Sequence, residues 1–289
     1  MRGLVRSARP KQWVKSVLVL AAPFAAGTIA QPQVLFRTLV SVVTLTMCAA
    51  AGYLVNDAGD RDADRAHPTK RFRPIAAGDV ALPLAYGTAA ALVVAALVGG
   101  WLLTTWRLPV ALAAYIVVTL SYSRWLKHVA VVEMLMVALC FLLRPIVGAA
   151  GTDVPLSRWF LIVASFGSLY MVAGKRYAEL TGLGENALHH RRILSQYPAP
   201  YLRQTREMAA AVTLLAYCLW AFERSGTTGP GWTTLSIIPI TFGLLRYGLL
   251  LERGEGGAPE DVVLHDRPLL LAGLAWVVLF SVGTVLLHR

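Results

Sequence analysis

The sequence has little charge and few acidic residues. Of its 289 residues, 15% are charged and 56% are hydrophobic, whereas average soluble domains have about 25% charged residues. A water-soluble globular domain is therefore excluded for most of the chain. The chain has 16 acidic residues and 27 lysines and arginines, which gives a net charge of +11.

Cysteine is also scarce, with only three residues in the chain. Cys48, Cys140 and Cys218 all fall within apolar stretches, and their spacing matches neither a zinc site nor a disulfide framework. We expect three buried small side chains. Strict apolar–polar alternation is missing too, which argues against membrane strands.

Long apolar runs recur along the whole sequence, and a helix needs about 20 residues to cross a bilayer. Backbone polar groups in lipid must be satisfied internally, so the runs predict an all-α, polytopic membrane protein. We expect a bundle of about nine transmembrane helices within a single integral-membrane domain over 1–289, because the connections are too short for a core. The predicted spans are 14–30, 34–55, 82–104, 108–124, 130–150, 157–175, 207–222, 234–251 and 268–287.

The basic residues are distributed unequally between alternate connections. Most of the 27 lie at the N-terminus or near 56–81, 122–128, 175–206 and 246–267. This pattern is the positive-inside asymmetry, so nucleic acid is not the expected partner. We predict a multi-pass plasma-membrane protein with a cytoplasmic N-terminus and an outside C-terminus. No cleavable signal peptide is expected.

The most unusual stretch, NDAGDRDADRAHPTKRFRPIAAG, starts at Asn56 where the second span ends. If that helix continues, Asp57, Asp60 and Asp64 lie within an arc of about 60°, while Asp62 points elsewhere. Three carboxylates on one face repel one another unless a cation lies between them, and Mg²⁺ prefers such oxygen ligands. The alternative is a solvated helix end on which Arg61 and Arg65 pair with the aspartates.

Basic residues directly follow the aspartates. Lys70 and Arg73, beside a metal–carboxylate cluster, suit a ligand with a diphosphate group. Metal on one side and guanidinium on the other would stabilise a leaving pyrophosphate.

This stretch resembles the first signature motif of the UbiA superfamily of intramembrane prenyltransferases, which here comprises Asn56, Asp57, Asp60, Asp64, Lys70, Arg73, Pro74 and Gly78. The resemblance implies a helical bundle whose active site opens to the cytoplasm, under loops at about 56–81 and 176–206. It also implies Mg²⁺ on Asp57, Asp60 and Asp64, which would be both the metal ligands and the catalytic residues, with Asn56 in contact with the substrate.

Members of that family typically carry a second aspartate motif near the end of the sixth span, and this sequence does not. The region reads YMVAGKRYAE, with Tyr170, Lys175 and Arg176 in place of paired aspartates. Two cations suggest direct phosphate contact and no second metal. The alternative is that they are positive-inside residues marking a helix end. Glu179, four residues after Lys175, is expected to orient it.

The altered second motif and the opening RPKQWVK resemble one branch of the family, the polyprenyl-phosphate phosphoribosyltransferases of actinobacterial cell-wall synthesis. That resemblance implies transfer of 5-phosphoribose from phosphoribosyl pyrophosphate to a polyprenyl (decaprenyl) phosphate, for arabinan precursors. The substrate-binding residues would be Lys15, Asn56, Lys70, Arg73, Lys127, Tyr170, Lys175 and Arg176.

Two other functions remain open from the sequence. One is a prenyltransferase that moves a prenyl chain from its diphosphate to an aromatic acceptor, which leaves the missing second acidic motif unexplained. The other is a transporter or lipid-binding scaffold, for which no inverted repeat is visible. The sequence also leaves open whether the chain forms a homo-oligomer.

Overall fold

The structure is a computed structural model that describes residues 2–183, 192–225, 231–255, 262 and 265–286. The described chain forms two compact units. One comprises Met1–Leu126 with Leu143–Pro155, and the other comprises Lys127–Leu142 with Leu156–Arg289. We describe each unit separately, and the expectation of a single domain remains a prediction. Part of the predicted 176–206 loop, residues 184–191, lies outside the described residues.

The first unit is helical. Its α-helices are α1 (Arg2–Ser7), α2 (Ala21–Ala25), α3 (Pro32–Gly59), α4 (Arg61–Ala66), α5 (Pro74–Ala77), α6 (Leu82–Leu103) and α7 (Arg107–Arg124). Two 3-10 helices, Pro10–Leu20 and Lys70–Phe72, accompany them. The next helix, α8 (Val132–Thr152), contributes its first half to the second unit and its second half to the first.

The second unit continues with four long helices and a short one. They are α9 (Arg158–Leu183), α10 (Ala199–Ser225), α11 (Trp232–Leu235), α12 (Ile237–Glu252) and α13 (Arg267–Leu286). The 3-10 turn Leu126–His128 lies between α7 and α8 in the chain, and the 3-10 turn Arg192–Gln196 lies between α9 and α10. No strand occurs in the part of the chain that the structure describes, so the all-α prediction is confirmed.

Helices occupy eight of the nine predicted spans within the described residues. By length and composition, five segments can cross a membrane: α3, α6, α8, Trp232–Glu252 and Arg267–Thr284. The predicted spans at 108–124, 157–175 and 207–222 correspond to α7, α9 and α10. The predicted loop at 176–206 is shorter than expected, because α9 continues to Leu183 and α10 begins at Ala199. Apolar run length therefore located most helices correctly.

The first predicted span, 14–30, is not a single α-helix. The chain forms the 3-10 helix Pro10–Leu20 and then the five-residue α2. Pro23 lacks a backbone donor and Gly27 adopts a left-handed φ of 70°, so a regular helix cannot continue through this stretch. The first predicted span is therefore interrupted, as Pro23 and Gly27 in the sequence indicate.

A small-residue contact holds this irregular segment against α8. A Cβ atom built on Gly148 would lie 2.0 Å from the carbonyl oxygen of Val19. Only glycine permits such an approach, and small residues allow the same close packing between helices in membranes. The N-terminal segment is thereby fixed where Arg9 can reach α3.

Large apolar side chains cover the outer faces of both units. Leu102 is 74% exposed and Leu245 is 70% exposed, among many others. Apolar surface on this scale is an aggregation liability in water, but it is the natural surface for hydrocarbon. The folded chain therefore agrees with a polytopic membrane protein.

Candidate active site

The helix that carries the aspartate motif ends within the motif. α3 ends at Gly59, Asp60 has φ −93° and ψ 8°, and α4 begins at Arg61. The helix therefore continues past Asn56 as supposed, but a break at Asp60 separates it from α4. Nevertheless Asp57 and Asp64 are both buried, whereas Asp62 is exposed, as the helical arc predicted.

Arg73 brings Asp57 and Asp64 together. Its Nη1 donates to Asp57 Oδ1 at 3.2 Å and to Asp64 Oδ2 at 2.8 Å. Arg73 follows the 3-10 turn Lys70–Phe72 and is extended, with ψ 138°, because it precedes Pro74. Below these carboxylates, Ala58 of α3 belongs to the apolar core formed with α5 and α6. A single guanidinium nitrogen of Arg73 thus links the two buried carboxylates of the motif.

Arg9 is a site residue to which the sequence analysis assigned no role. It adopts a left-handed φ of 51°, and its Nη2 donates to Asp57 Oδ1 at 2.5 Å. Its guanidinium also lies over the ring of Tyr53, 4.9 Å from the centroid. The only signal in the sequence was its place in the opening RPKQWVK segment, because nothing local links it to an aspartate 48 residues away.

The remaining expected site residues of the first unit share a similar degree of burial. Asn56, Asp60, Lys70 and Lys15 are all half-buried. Among the described residues, no group of three or more His, Cys, Asp or Glu side chains is arranged to hold a metal. Asp60 therefore does not complete a three-carboxylate cage with Asp57 and Asp64 in this conformation.

In the second unit, Arg176 is held by two glutamates. Its Nε and Nη2 donate to Glu133 Oε1 and Oε2 at 2.8 and 3.1 Å, and its Nη1 donates to Glu179 at 2.8 Å. Glu133 is 0% exposed and Arg176 is 3% exposed. A buried bidentate pair of this kind is costly to break. Glu179 thus binds Arg176, rather than orienting Lys175 as expected.

Lys175 and Tyr170 differ in their availability to a ligand. Lys175 is half-buried and makes no hydrogen bond or ion pair with the residues that the structure describes. The Tyr170 hydroxyl is buried and donates to the Leu244 carbonyl at 2.6 Å. Lys127, in the turn Leu126–His128, is half-buried. Of the expected phosphate contacts in this unit, the two lysines are the accessible ones.

The arrangement around Asp57 is suited to divalent-cation chemistry. Its donors are carboxylate oxygens, the atoms that Mg²⁺ prefers. In this conformation the Arg73 guanidinium lies between the Asp57 and Asp64 carboxylates, so a cation already occupies the position that charge repulsion demands. An anionic ligand arriving with a metal would offer both Arg73 and Arg9 new partners.

Comparison with known proteins identifies the family of the chain. The model of the UbiA prenyltransferase family matches residues 16–265. A protein of Mycobacterium tuberculosis (strain H37Rv) named decaprenyl-phosphate phosphoribosyltransferase is 47% identical over 279 residues, covering 95% of this chain and 92% of its own length. A Corynebacterium glutamicum protein of the same name is 42% identical, covering 95% and 84%.

Solved structures share the fold at low sequence identity. A UbiA homologue from Archaeoglobus fulgidus, bound to GPP and Mg²⁺, has a TM-score of 0.72 at 15% identity, covering 99% of this chain and 100% of that one. The apo structure of a UbiA homologue from Aeropyrum pernix K1 has a TM-score of 0.58 at 16% identity, with 93% and 97% covered. With the aspartate motif, the helical architecture and these matches taken together, the chain belongs to the UbiA prenyltransferase family.

Proposed function

We propose that this protein transfers 5-phosphoribose from phosphoribosyl pyrophosphate to a polyprenyl phosphate, of the decaprenyl type, and releases pyrophosphate. The observation that carries the proposal is its 42–47% identity, over 95% of the chain, to proteins named decaprenyl-phosphate phosphoribosyltransferase. The cations of α9 support it, because Lys175 and Arg176 stand where the family typically has a second aspartate motif.

Asp57 and Asp64, with Asp60 beside them, are the residues that would hold Mg²⁺. Structural relatives of the same fold were solved with Mg²⁺ and with Cd²⁺, which supports divalent-metal use here. When bound, the metal would neutralise the diphosphate of the donor and make it a better leaving group.

The protein's own residues position the donor. Arg73 and Arg9 turn from the Asp57 and Asp64 carboxylates toward the oxygens of the diphosphate, and Lys70 adds a third cation. Cations fixed at the place where negative charge develops favour the transition state over the ground state. Lys15 and Asn56 line the same region of the first unit.

The reaction itself exchanges one C–O bond for another. The bond between C1 of the ribose and the diphosphate breaks, and the electron pair leaves with pyrophosphate. A phosphate oxygen of the lipid forms the new bond to C1. The acceptor oxygen is already anionic at neutral pH, so no general base is required.

The lipid phosphate is the ligand that we assign to Lys175 and Lys127, since each of these lysines is half-buried. Arg176 keeps its pair with Glu133 and fixes the part of α9 that carries Lys175. The Tyr170 hydroxyl keeps its hydrogen bond to the Leu244 carbonyl oxygen. The active site faces the cytoplasm of the plasma membrane, where phosphoribosyl pyrophosphate is available.

The test supplies purified protein in detergent with labelled phosphoribosyl pyrophosphate, Mg²⁺ and polyprenyl phosphate. We expect label to enter the organic phase as a lipid-linked phosphoribose and to be absent when EDTA is added. Turnover of a prenyl diphosphate with an aromatic acid, and none of the phosphoribosyl donor, would contradict the proposal and support the conventional prenyltransferase.

A further inference from the structure

A groove on the second unit is lined in part by Tyr170, a residue that the sequence analysis assigned to substrate binding. It has a volume of about 600 Å³ and runs between α10 and α12. One end is polar, with Arg203, Arg206, Glu207 and Glu252. The rest is apolar and is lined mainly by Ala210, Ala211, Leu214, Leu244, Leu245 and Leu249.

The polar end contains a network centred on Glu252. Its Oε2 accepts hydrogen bonds from Arg203 Nη2 and from the Tyr177 hydroxyl, each at 2.9 Å, and its Oε1 accepts from Arg206 Nη2 at 2.7 Å. Three donors therefore satisfy this carboxylate. The network ties together α9, α10 and α12.

Two charged side chains at the polar end keep atoms that make no hydrogen bond in this network. Arg206 is 5% exposed, and its Nη1 is buried without a hydrogen-bond partner among the described residues. A buried charged donor left unsatisfied is costly, so a missing acceptor is expected there. Glu207 is exposed and makes no hydrogen bond within the described residues.

The position of the groove indicates what lies in it. The predicted spans 207–222 and 234–251 place Glu207 and Glu252 at a membrane boundary, and the apolar lining extends from there toward the bilayer centre. The lining residues Leu245 and Leu249 are themselves strongly exposed. The groove therefore offers polar groups at headgroup depth and an apolar channel at acyl-chain depth.

We propose that this groove binds one zwitterionic glycerophospholipid of the bilayer. A phosphodiester oxygen accepts from Arg206 Nη1, the headgroup ammonium pairs with Glu207, and an acyl chain lies along Ala211, Leu214 and Leu245. This site does not depend on the proposed reaction.

Charge favours that occupant over other membrane phosphates. The polar end carries two guanidinium groups and two carboxylates. Arg206 Nη1 lacks a hydrogen-bond partner among the described residues, and Glu207 is exposed and interacts electrostatically with Arg203. A polyprenyl phosphate or an anionic phospholipid supplies oxygens for Arg206 but no cation for Glu207. Either would also bring negative charge close to Glu207 and Glu252.

The experiment measures lipid retained by the full chain after detergent exchange, by native mass spectrometry. Phosphatidylethanolamine, phosphatidylglycerol and polyprenyl phosphate are offered separately and in competition. We expect each chain to retain one phosphatidylethanolamine molecule. Its affinity should exceed that of phosphatidylglycerol by about two- to fivefold, which is the gain in affinity expected from one exposed ion pair. Preferential retention of either of the other two lipids would overturn the proposal.

Matched variants test the contacts. Glu207→Gln removes the preference for phosphatidylethanolamine but keeps binding, and Leu214→Trp fills the groove and abolishes retention. Leu215→Trp lies on the same helix, is 61% exposed and faces away from the lining, so it serves as the control. An unchanged preference in Glu207→Gln, or equal retention in the two tryptophan variants, would reject the site.

Discussion

Arg9 donates to the Asp57 carboxylate at 2.5 Å across 48 residues of sequence. This contact joins the N-terminal segment to the motif at the end of α3, and it places a cation on the carboxylate that we assign to the metal. The protein without ligands thus stabilises its own buried acid with arginine, since buried carboxylates require a partner.

The first prediction concerns this pair. Arg9→Ala leaves Asp57 with Arg73 as its remaining arginine partner, so we expect the protein to lose about 1–3 kcal/mol of stability, the usual cost of removing a charged hydrogen-bond partner. Thermal unfolding in detergent measures the change. Lys11→Ala, an exposed cation two residues away, should leave the transition where it is, and an equal shift in both variants would contradict the role of the pair.

Activity should depend on the two buried aspartates and not on the exposed one between them. Asp57→Asn and Asp64→Asn should each lower turnover by more than about 100-fold, because they weaken the stabilisation of the leaving diphosphate. Asp62→Asn is the matched control and should remain active. The assay with labelled phosphoribosyl pyrophosphate measures the turnover. An active Asp57→Asn variant would contradict the assignment of Asp57 as a ligand of the metal.

Substitution of the two adjacent cations of α9, Lys175 and Arg176, should have different effects on stability and activity. Arg176→Met leaves Glu133 buried without its bidentate partner, so a loss of about 3–5 kcal/mol of stability is expected. Lys175→Met breaks no contact among the described residues, so the fold should persist while the KM for polyprenyl phosphate rises. Unfolding curves and steady-state kinetics on both variants distinguish these roles, and a stable Arg176→Met protein would count against the buried pair.

Two glycines provide a matched test of packing. Gly148→Ala places a Cβ 2.0 Å from the Val19 carbonyl oxygen, and overpacking of this kind costs about 1–3 kcal/mol. A Cβ on Gly99, in α6, would meet no neighbouring group within 4 Å among the described residues, so Gly99→Ala should be neutral or stabilising. Thermal unfolding of the two variants in the same detergent makes the comparison. Similar stability for both would show that the N-terminal segment does not pack on α8.

Stability at acid pH should depend on Asp266. A hydrogen bond from Arg246, followed by one from the Leu269 backbone, lowers the pKa of this carboxyl group below its usual value. Because the folded pKa is depressed, the stabilisation is present above the unfolded pKa of about 3.9 and is lost as the pH falls through the folded value. Asp266→Asn should therefore flatten the decline of the melting temperature below about pH 4.

Much of the architecture was predictable because it depends on local properties of the chain. Apolar run length located the helices, and the spacing of Asp57, Asp60 and Asp64 with Arg73 identified the motif. The exposure of Asp62 followed from helical periodicity. Pro23 and Gly27 were visible interruptions, although the sequence did not show that they convert the segment to a 3-10 helix and a short α-helix.

What the sequence by itself determined is which residues carry charge at the ends of apolar helices, because composition and periodicity are properties of consecutive residues. Only the tertiary structure decided which charges meet. Arg9 reaches Asp57 over 48 residues, and Arg176 is bound by Glu133 over 43, so neither pairing has a local signal. The partner of a buried charge is set by helix packing, and packing therefore decided that Arg176 is bound by Glu133 and Glu179.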